Sequence, residues 1–184
     1  LRAKAGQIFK ANDIDMRQAE KEGLAAPALK RLKFDEHKLG DVCAGLEQLV
    51  QYIQNLHFDE EDIAFLRDKH LFSEDFLSYL RDFRFTGDIW AVPEGTPIFP
   101  REPVVTVRAP AIQAQLIETF TLLTINHQSL IATKANRIVR AAQGRTVLEF
   151  GSRRAQGTDG AISGARAAYI GGCAGTACTI SDQL

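Results

Sequence analysis

The sequence predicts an α/β chain, with helices in the first half, short proline-bounded strands after them, and a strand–turn–helix order at the end. Three observations carry that reading. From Ala44 onward, apolar residues recur at helical spacing. Between residues 88 and 110, β-prone runs are broken by Pro93, Pro97, Pro100, Pro103 and Pro110. From Thr146, a short apolar run ends at Glu149, Phe150 and Gly151, and Arg153 and Arg154 follow before a Gly- and Ala-rich helical stretch opens at Asp159.

Each element has a local cause. Residues 1–40 are polar and weakly patterned, with a helix-compatible stretch from Met16 to Leu32 and a loop from Phe34 to Gly40. Leu46, Leu49, Val50, Ile53 and Leu56 form one apolar helix face. Asp59 is an N-cap for a helix over Glu60 to Arg67, whose acidic first turn suits the helix dipole. Ser73 caps the next helix, with Phe76, Leu77 and Leu80 on one side, and Gly87 ends the helical region. Asp88–Val92, Thr96–Phe99 and Val104–Val107 are short strands of one small sheet with irregular edges. A long helix then runs from Pro110 to Gln143, with Gly144 at its C′ position. Its expected buried face is Ile112, Leu116, Ile117, Phe120, Leu123, Leu130, Ile131, Ile138 and Val139, with a bend near Thr124 to Gln128. Thr146 to Phe150 reads as a buried strand, Gly160 to Ile170 as a closely packing helix ended by Gly171 and Gly172, and Gly175-Thr176 as a glycine turn. A further helix begins in Ala177 to Leu184.

The bulk numbers exclude several classes. The 184 residues suffice for one ordinary domain or two small ones. With 45% hydrophobic and 24% charged residues, the profile is that of a soluble globular protein. The net charge of -1 gives no basic field for nucleic acid. No apolar run approaches the ~20 residues of a membrane span, and the start has no signal-peptide core. Three cysteines without a CxxC pair fit a reducing, cytoplasmic setting. A first residue other than Met and an end at Leu184 without a terminating signal lead to the expectation of a fragment.

Arg153 and Arg154 lead the candidates for chemistry, because a guanidinium grips a carboxylate or phosphate through a planar fork. The alternative is a structural pair bridging to Glu149 or Asp159. Phe150 either stacks on a flat heteroaromatic ring or belongs to the core. The N–H groups near Gly157 to Gly160 suit an anion at a helix start, and Gly172, Gly175 and Thr176 offer a second phosphate cradle. His127 is either an acid–base group or a packed histidine, while Lys134 either reaches a phosphate or is solvated. His57 and His70 fall at helix ends. No Ser/His/Asp set, zinc spacing, Walker loop or dinucleotide fingerprint is present.

From about Cys43 to the end, the chain resembles the nicotinate phosphoribosyltransferase family. The resemblance runs through Ala44-Gly45-Leu46-Glu47, Phe83-Arg84-Phe85-Thr86-Gly87, Val92-Pro93-Glu94-Gly95-Thr96, Glu102-Pro103 and Glu118-Thr119. It continues in Ile131-Ala132-Thr133-Lys134, in Glu149 to Gly157 and in Gly164 to Cys173. The resemblance implies an α+β amino-terminal domain followed by the start of an incomplete α/β barrel. On that reading residues 1–40 are an unmatched leader, 41–110 the amino-terminal domain, and 111–184 linking helices and the first strand–helix units of a truncated barrel.

The activity so implied joins nicotinate to phosphoribosyl pyrophosphate, giving nicotinate mononucleotide and pyrophosphate on the route to NAD. ATP hydrolysis is coupled to it, with ATP and Mg as implied cofactors and a homodimer in the complete enzyme. By the same resemblance Phe150 flanks the pyridine ring, Arg153 and Arg154 hold the nicotinate carboxylate or the ribose 5-phosphate, and Gly175 and Thr176 lie near the phosphate. The sequence departs from the family's pattern at Ala174 and at Ala177-Cys178. None of its four histidines occupies the family's histidine motif, so no turnover by this chain alone is expected. A relative acting on quinolinate or nicotinamide, or a non-catalytic binding or interaction module, are the rival readings. The truncated barrel leads to an expectation of exposed strand edges, apolar helix faces and self-association.

Overall fold

Asp59 and Ser73 start two helices in the way their side chains dictate. In the computed structural model, which describes residues 40–183, three helices follow one another: α1 (Leu46–Asn55), α2 (Glu60–Asp68) and α3 (Glu74–Arg81). The helix expected over Met16–Leu32 lies outside the described residues. The Asp59 carboxylate accepts from the Asp62 N–H at 2.9 Å and the Asp62 carboxylate from the Asp59 N–H at 3.1 Å, a reciprocal capping box. The Ser73 hydroxyl accepts from the Phe76 N–H at 3.3 Å. Ile63, Leu77 and Leu80 bury the face between α2 and α3, with Phe58, Leu66 and Phe76 around them. The pairs Arg67–Glu74 and Arg81–Glu60 lie on the exposed side, where ion pairs contribute little.

The strands form two separate pairs rather than the single small sheet expected. Strand β1 (Asp41–Val42) pairs antiparallel with β3 (Pro97–Ile98), and β2 (Asp88–Ala91) pairs antiparallel with β4 (Val105–Arg108). The prolines explain the separation. Pro97 stands opposite Val42 with no N–H to give, and Pro93, Pro100 and Pro103 remove further donors between the strands.

A single helix, α4 (Ala111–Ala141), runs beneath both halves. It stays helical through Thr124 to Gln128, a stretch of weak helix propensity. Tertiary contacts outweigh the weak propensity there: Gln128 donates to Gln48 on α1 at 3.0 Å, and Gly45 packs on Thr124 so closely that a Cβ would lie 2.7 Å from its carbonyl oxygen. Past the end of α4, Gln143 takes a positive φ of 51° before Gly144 takes one of 84°.

The buried face of α4 also differs from expectation. Ile117 is buried, but Ile112, Leu123, Leu130 and Ile138 are exposed, whereas Gln113, Thr124, Gln128, Ser129 and Thr133 are buried. The cause is the backbone of the segment laid across the helix. Thr133 Oγ1 accepts from the Val42 N–H at 2.8 Å, and Ser129 Oγ accepts from the Ala44 N–H at 3.1 Å. Hydroxyls satisfy buried peptide donors that leucine could not.

The last part is a parallel β–α–β unit: β5 (Leu148–Glu149), α5 (Thr158–Ile170) and β6 (Gly175–Thr176), with Leu148 opposite Gly175 and Glu149 opposite Thr176. Gly175-Thr176, read as a turn, is therefore a strand. The strand expected over Thr146 to Phe150 is limited to two residues and is not buried, because Leu148 and Phe150 are more than half exposed, at 54% and 65%. At the chain's end a 3-10 segment, Thr179–Gln183, stands where a helix was expected to begin.

Small residues let α4 and α5 approach closely, as the Gly/Ala pattern implied. Ala132 and Ala135 face Ala167 and Ala168, all buried. At Gly171 a Cβ would crowd the Ala132 carbonyl and stand 2.7 Å from Ala135 Cβ. Gly171→Ala is therefore expected to lower stability by about 1–3 kcal/mol through overpacking, whereas Gly160→Ala, with open space around its Cβ, is expected to raise it by up to about 1 kcal/mol. Urea unfolding of the two variants checks both signs.

Candidate functional site

The carboxyl ends of β5 and β6 lie side by side, so the segments leaving them share one surface. From β5 the chain passes Phe150 and Gly151 into a 3-10 turn, Ser152–Arg154. About three residues complete such a turn, so the side chains of Arg153 and Arg154 diverge by roughly a third of a circle. Neighbours on a continuing strand would point to opposite faces, but the strand has ended at Glu149. Both arginines and Phe150 are exposed. Among the described residues neither guanidinium pairs with Glu149, Asp159 or any other acid. Their donors are unpaired, and the ring of Phe150, three residues before Arg153, is uncovered as well.

Gly175 and Thr176 reach the same place on β6. The Thr176 hydroxyl donates to the Glu149 carboxylate at 2.5 Å and accepts from the Cys178 N–H at 2.9 Å. The other oxygen of Glu149 accepts from the Gly151 N–H. Gly157, with φ 88°, precedes α5 and gives it no side-chain cap. The five candidates Phe150, Arg153, Arg154, Gly175 and Thr176 thus gather at two adjacent strand ends. Lys134 is exposed on α4. His127 is half-buried on the same helix, with Nε2 buried and without a hydrogen-bond partner, which is the packed alternative rather than an acid–base position.

Sequence reasoning missed the cluster that holds this unit in place. Arg166, on α5, donates through Nη1 to Glu94 Oε1 at 2.9 Å and through Nη2 to Glu94 Oε2 at 2.8 Å. It also donates to Glu47 on α1. Glu94 Oε1 accepts in addition from the N–H groups of Gly45 at 2.6 Å and Leu46 at 3.0 Å, so it caps α1 from another part of the chain. Burial pushes the Glu94 carboxyl up, but the Arg166 hydrogen bond and charge, with the two backbone donors, outweigh it and hold the group below its ordinary value. The Cys43 thiol, buried and near Glu94, is pushed up to about 11. The only signal in the sequence was that three of the quoted motifs contain these residues.

Helices, two antiparallel strand pairs and a parallel β–α–β unit define an α/β protein. The family model for the nicotinate phosphoribosyltransferase N-terminal domain matches residues 28–126, and the chain belongs to that family. The match reaches back into the stretch read above as an unmatched leader. The chain is 53% identical over 135 residues to nicotinate phosphoribosyltransferase pncB2 of Mycobacterium tuberculosis, covering 73% of this chain and 29% of that protein. It is 43% identical over 157 residues to nicotinate phosphoribosyltransferase of Bacillus subtilis, covering 85% of this chain and 32% of the relative. The crystal structure of human nicotinic acid phosphoribosyltransferase superposes with a TM-score of 0.73 at 30% identity, over 82% of this chain and 31% of the human chain. The chain therefore spans about a third of the length of the relatives it matches. No helix among the described residues is long and apolar enough to cross a membrane.

Removing Arg166 leaves a largely buried carboxylate unpaired, so Arg166→Ala is expected to cost about 3 kcal/mol at neutral pH. Because the folded-state pKa of Glu94 is depressed, its contribution is complete above its unfolded value and is lost as pH falls through the folded one. Urea unfolding of wild type and Glu94→Gln across pH is expected to show a stability gap at pH 7 that closes below the carboxyl's ordinary 4.5. A gap that widens in acid would show the sign to be wrong.

Proposed function

We propose that this chain supplies the nicotinate-binding turn of a nicotinate phosphoribosyltransferase. The observation that carries the reading is the pair of unpaired guanidiniums, Arg153 and Arg154, beside the exposed Phe150 ring at a strand's carboxyl end. One guanidinium takes the pyridine carboxylate through its fork, the other takes the ribose 5-phosphate, and the ring lies against Phe150. The backbone at Gly175 and Thr176 stands near the phosphate.

In the reaction, the bond from ribose C1 to pyrophosphate breaks and the bond from C1 to the ring nitrogen forms. Positive charge builds on the sugar between the two events. The catalytic task is to hold several anions in register, so fixed cations and backbone donors matter more than a strong base. ATP as co-substrate, Mg, a homodimer and a cytoplasmic setting belong to the same proposal and rest on the family resemblance. Magnesium commonly takes one or two carboxylates together with phosphates. Among the described residues no three or more His, Cys, Asp or Glu side chains gather where they could hold a metal ion. An acid substrate suits two guanidiniums better than an amide, which favours nicotinate over nicotinamide.

Isothermal titration of the chain with nicotinate tests the proposal. Arg153→Ala or Arg154→Ala is expected to cost about 2 kcal/mol of binding, the scale of a charged hydrogen bond. Phe150→Ala is expected to cost about 1 kcal/mol from lost stacking. Unchanged affinity in both arginine variants, or tighter binding of nicotinamide or quinolinate, would reject it.

A further inference from the structure

We infer that Glu149 is a positioning residue that locks the cation-bearing turn and the turn after β6 into a single register. The inference rests on the nicotinate-seat reading above and concerns how that seat is held. Glu149 ends β5 and is half-buried. Its two carboxylate oxygens are divided between the two turns. One accepts from the Gly151 N–H, which fixes the start of the segment carrying Ser152, Arg153 and Arg154. The other accepts the Thr176 hydroxyl proton.

The network continues across the strand pair. Thr176 Oγ1 takes the Cys178 N–H at 2.9 Å, and the Glu149 carbonyl takes the Ala177 N–H at 2.9 Å. The single hydroxyl proton of Thr176 is thus committed to Glu149. Thr176 acts on a bound anion through the shape of the turn and not by donating that proton.

Gly151 lies against the same carboxylate oxygen. Its φ is −83°, a conformation open to any residue, so backbone freedom does not demand glycine here. A Cβ at this position would lie 2.7 Å from Glu149 Oε1, the end of a flexible side chain, so alanine is accommodated by moving the carboxylate. The glycine leaves room for the carboxylate to fold back onto the amide. Gly151→Ala therefore displaces the carboxylate without altering any charge.

Amide hydrogen exchange by NMR on the whole chain tests the lock, with Gly151→Ala, Thr176→Val and Thr176→Ser beside wild type. A change in one turn is expected to be felt in the other. Gly151→Ala speeds exchange at Cys178, and Thr176→Val speeds it at Gly151, each about tenfold, the scale of one lost hydrogen bond. Thr176→Ser keeps the hydroxyl and keeps the Gly151 protection. Nicotinate affinity falls about fivefold or more in Gly151→Ala and Thr176→Val, in step with the exchange. Exchange changes confined to the substituted turn overturn the inference, as does Thr176→Ser behaving like Thr176→Val. The two disruptive substitutions lie in different turns, so a folding failure in one leaves the other to decide. If wild type binds no nicotinate, the substrate reading fails, and the cross-turn exchange alone decides the lock.

Discussion

The guanidinium of Arg166 joins three parts of the chain that are far apart in sequence. It holds both oxygens of Glu94, reaches Glu47, and through Glu94 caps the first helix at Gly45 and Leu46. The turn bearing Arg153 and Arg154 precedes the α5 helix that carries Arg166 by three residues and packs against that helix. Where α5 sits on the amino-terminal elements, those two cations sit also. A bidentate, mostly buried pair is suited to that task because its geometry is directional as well as attractive.

The rest of the packing serves the same end by other means. The α4–α5 contact is made of alanines and glycines, which bring the backbones close and leave little freedom to slide. On the neighbouring face, Ser129 and Thr133 of α4 satisfy the backbone of the segment around β1. Beyond these contacts the strand ends of β5 and β6 lie together, where Glu149 and Thr176 connect the two turns. Residue 149 thus works on the scale of one site and residue 166 on the scale of the unit that carries it.

What could be read in the sequence was local. Asp59 and Ser73 announce helix starts because their side chains satisfy donors three residues away, and the structure places both caps as expected. The strand and the helix after Thr146 followed from composition and from Gly171 and Gly172, whereas Gly175-Thr176 was read as a turn and is a strand. What depended on distant partners was not legible. Ile112, Leu123, Leu130 and Ile138 looked like core because apolar spacing carries no record of which face a neighbour covers, and the neighbour needed hydroxyls instead. Glu94 and Arg166 stand 72 positions apart, and nothing in their immediate surroundings signals a pair. Around the candidate site the identities Phe150, Arg153 and Arg154 were visible, but not the 3-10 turn that sets the angle between the two arginines, because that depends on where the chain leaves the strand.

The central claim is that the turn after β5 seats a flat, negatively charged pyridine. Amide and arginine side-chain chemical shifts, followed while nicotinate and then nicotinamide are added to the chain, test it most directly. The account predicts that nicotinate moves the signals of residues 150–154 and 175–178 with saturation and that the amide moves them far less. Equal responses to both compounds, or shifts that arise elsewhere while these residues stay still, would contradict it.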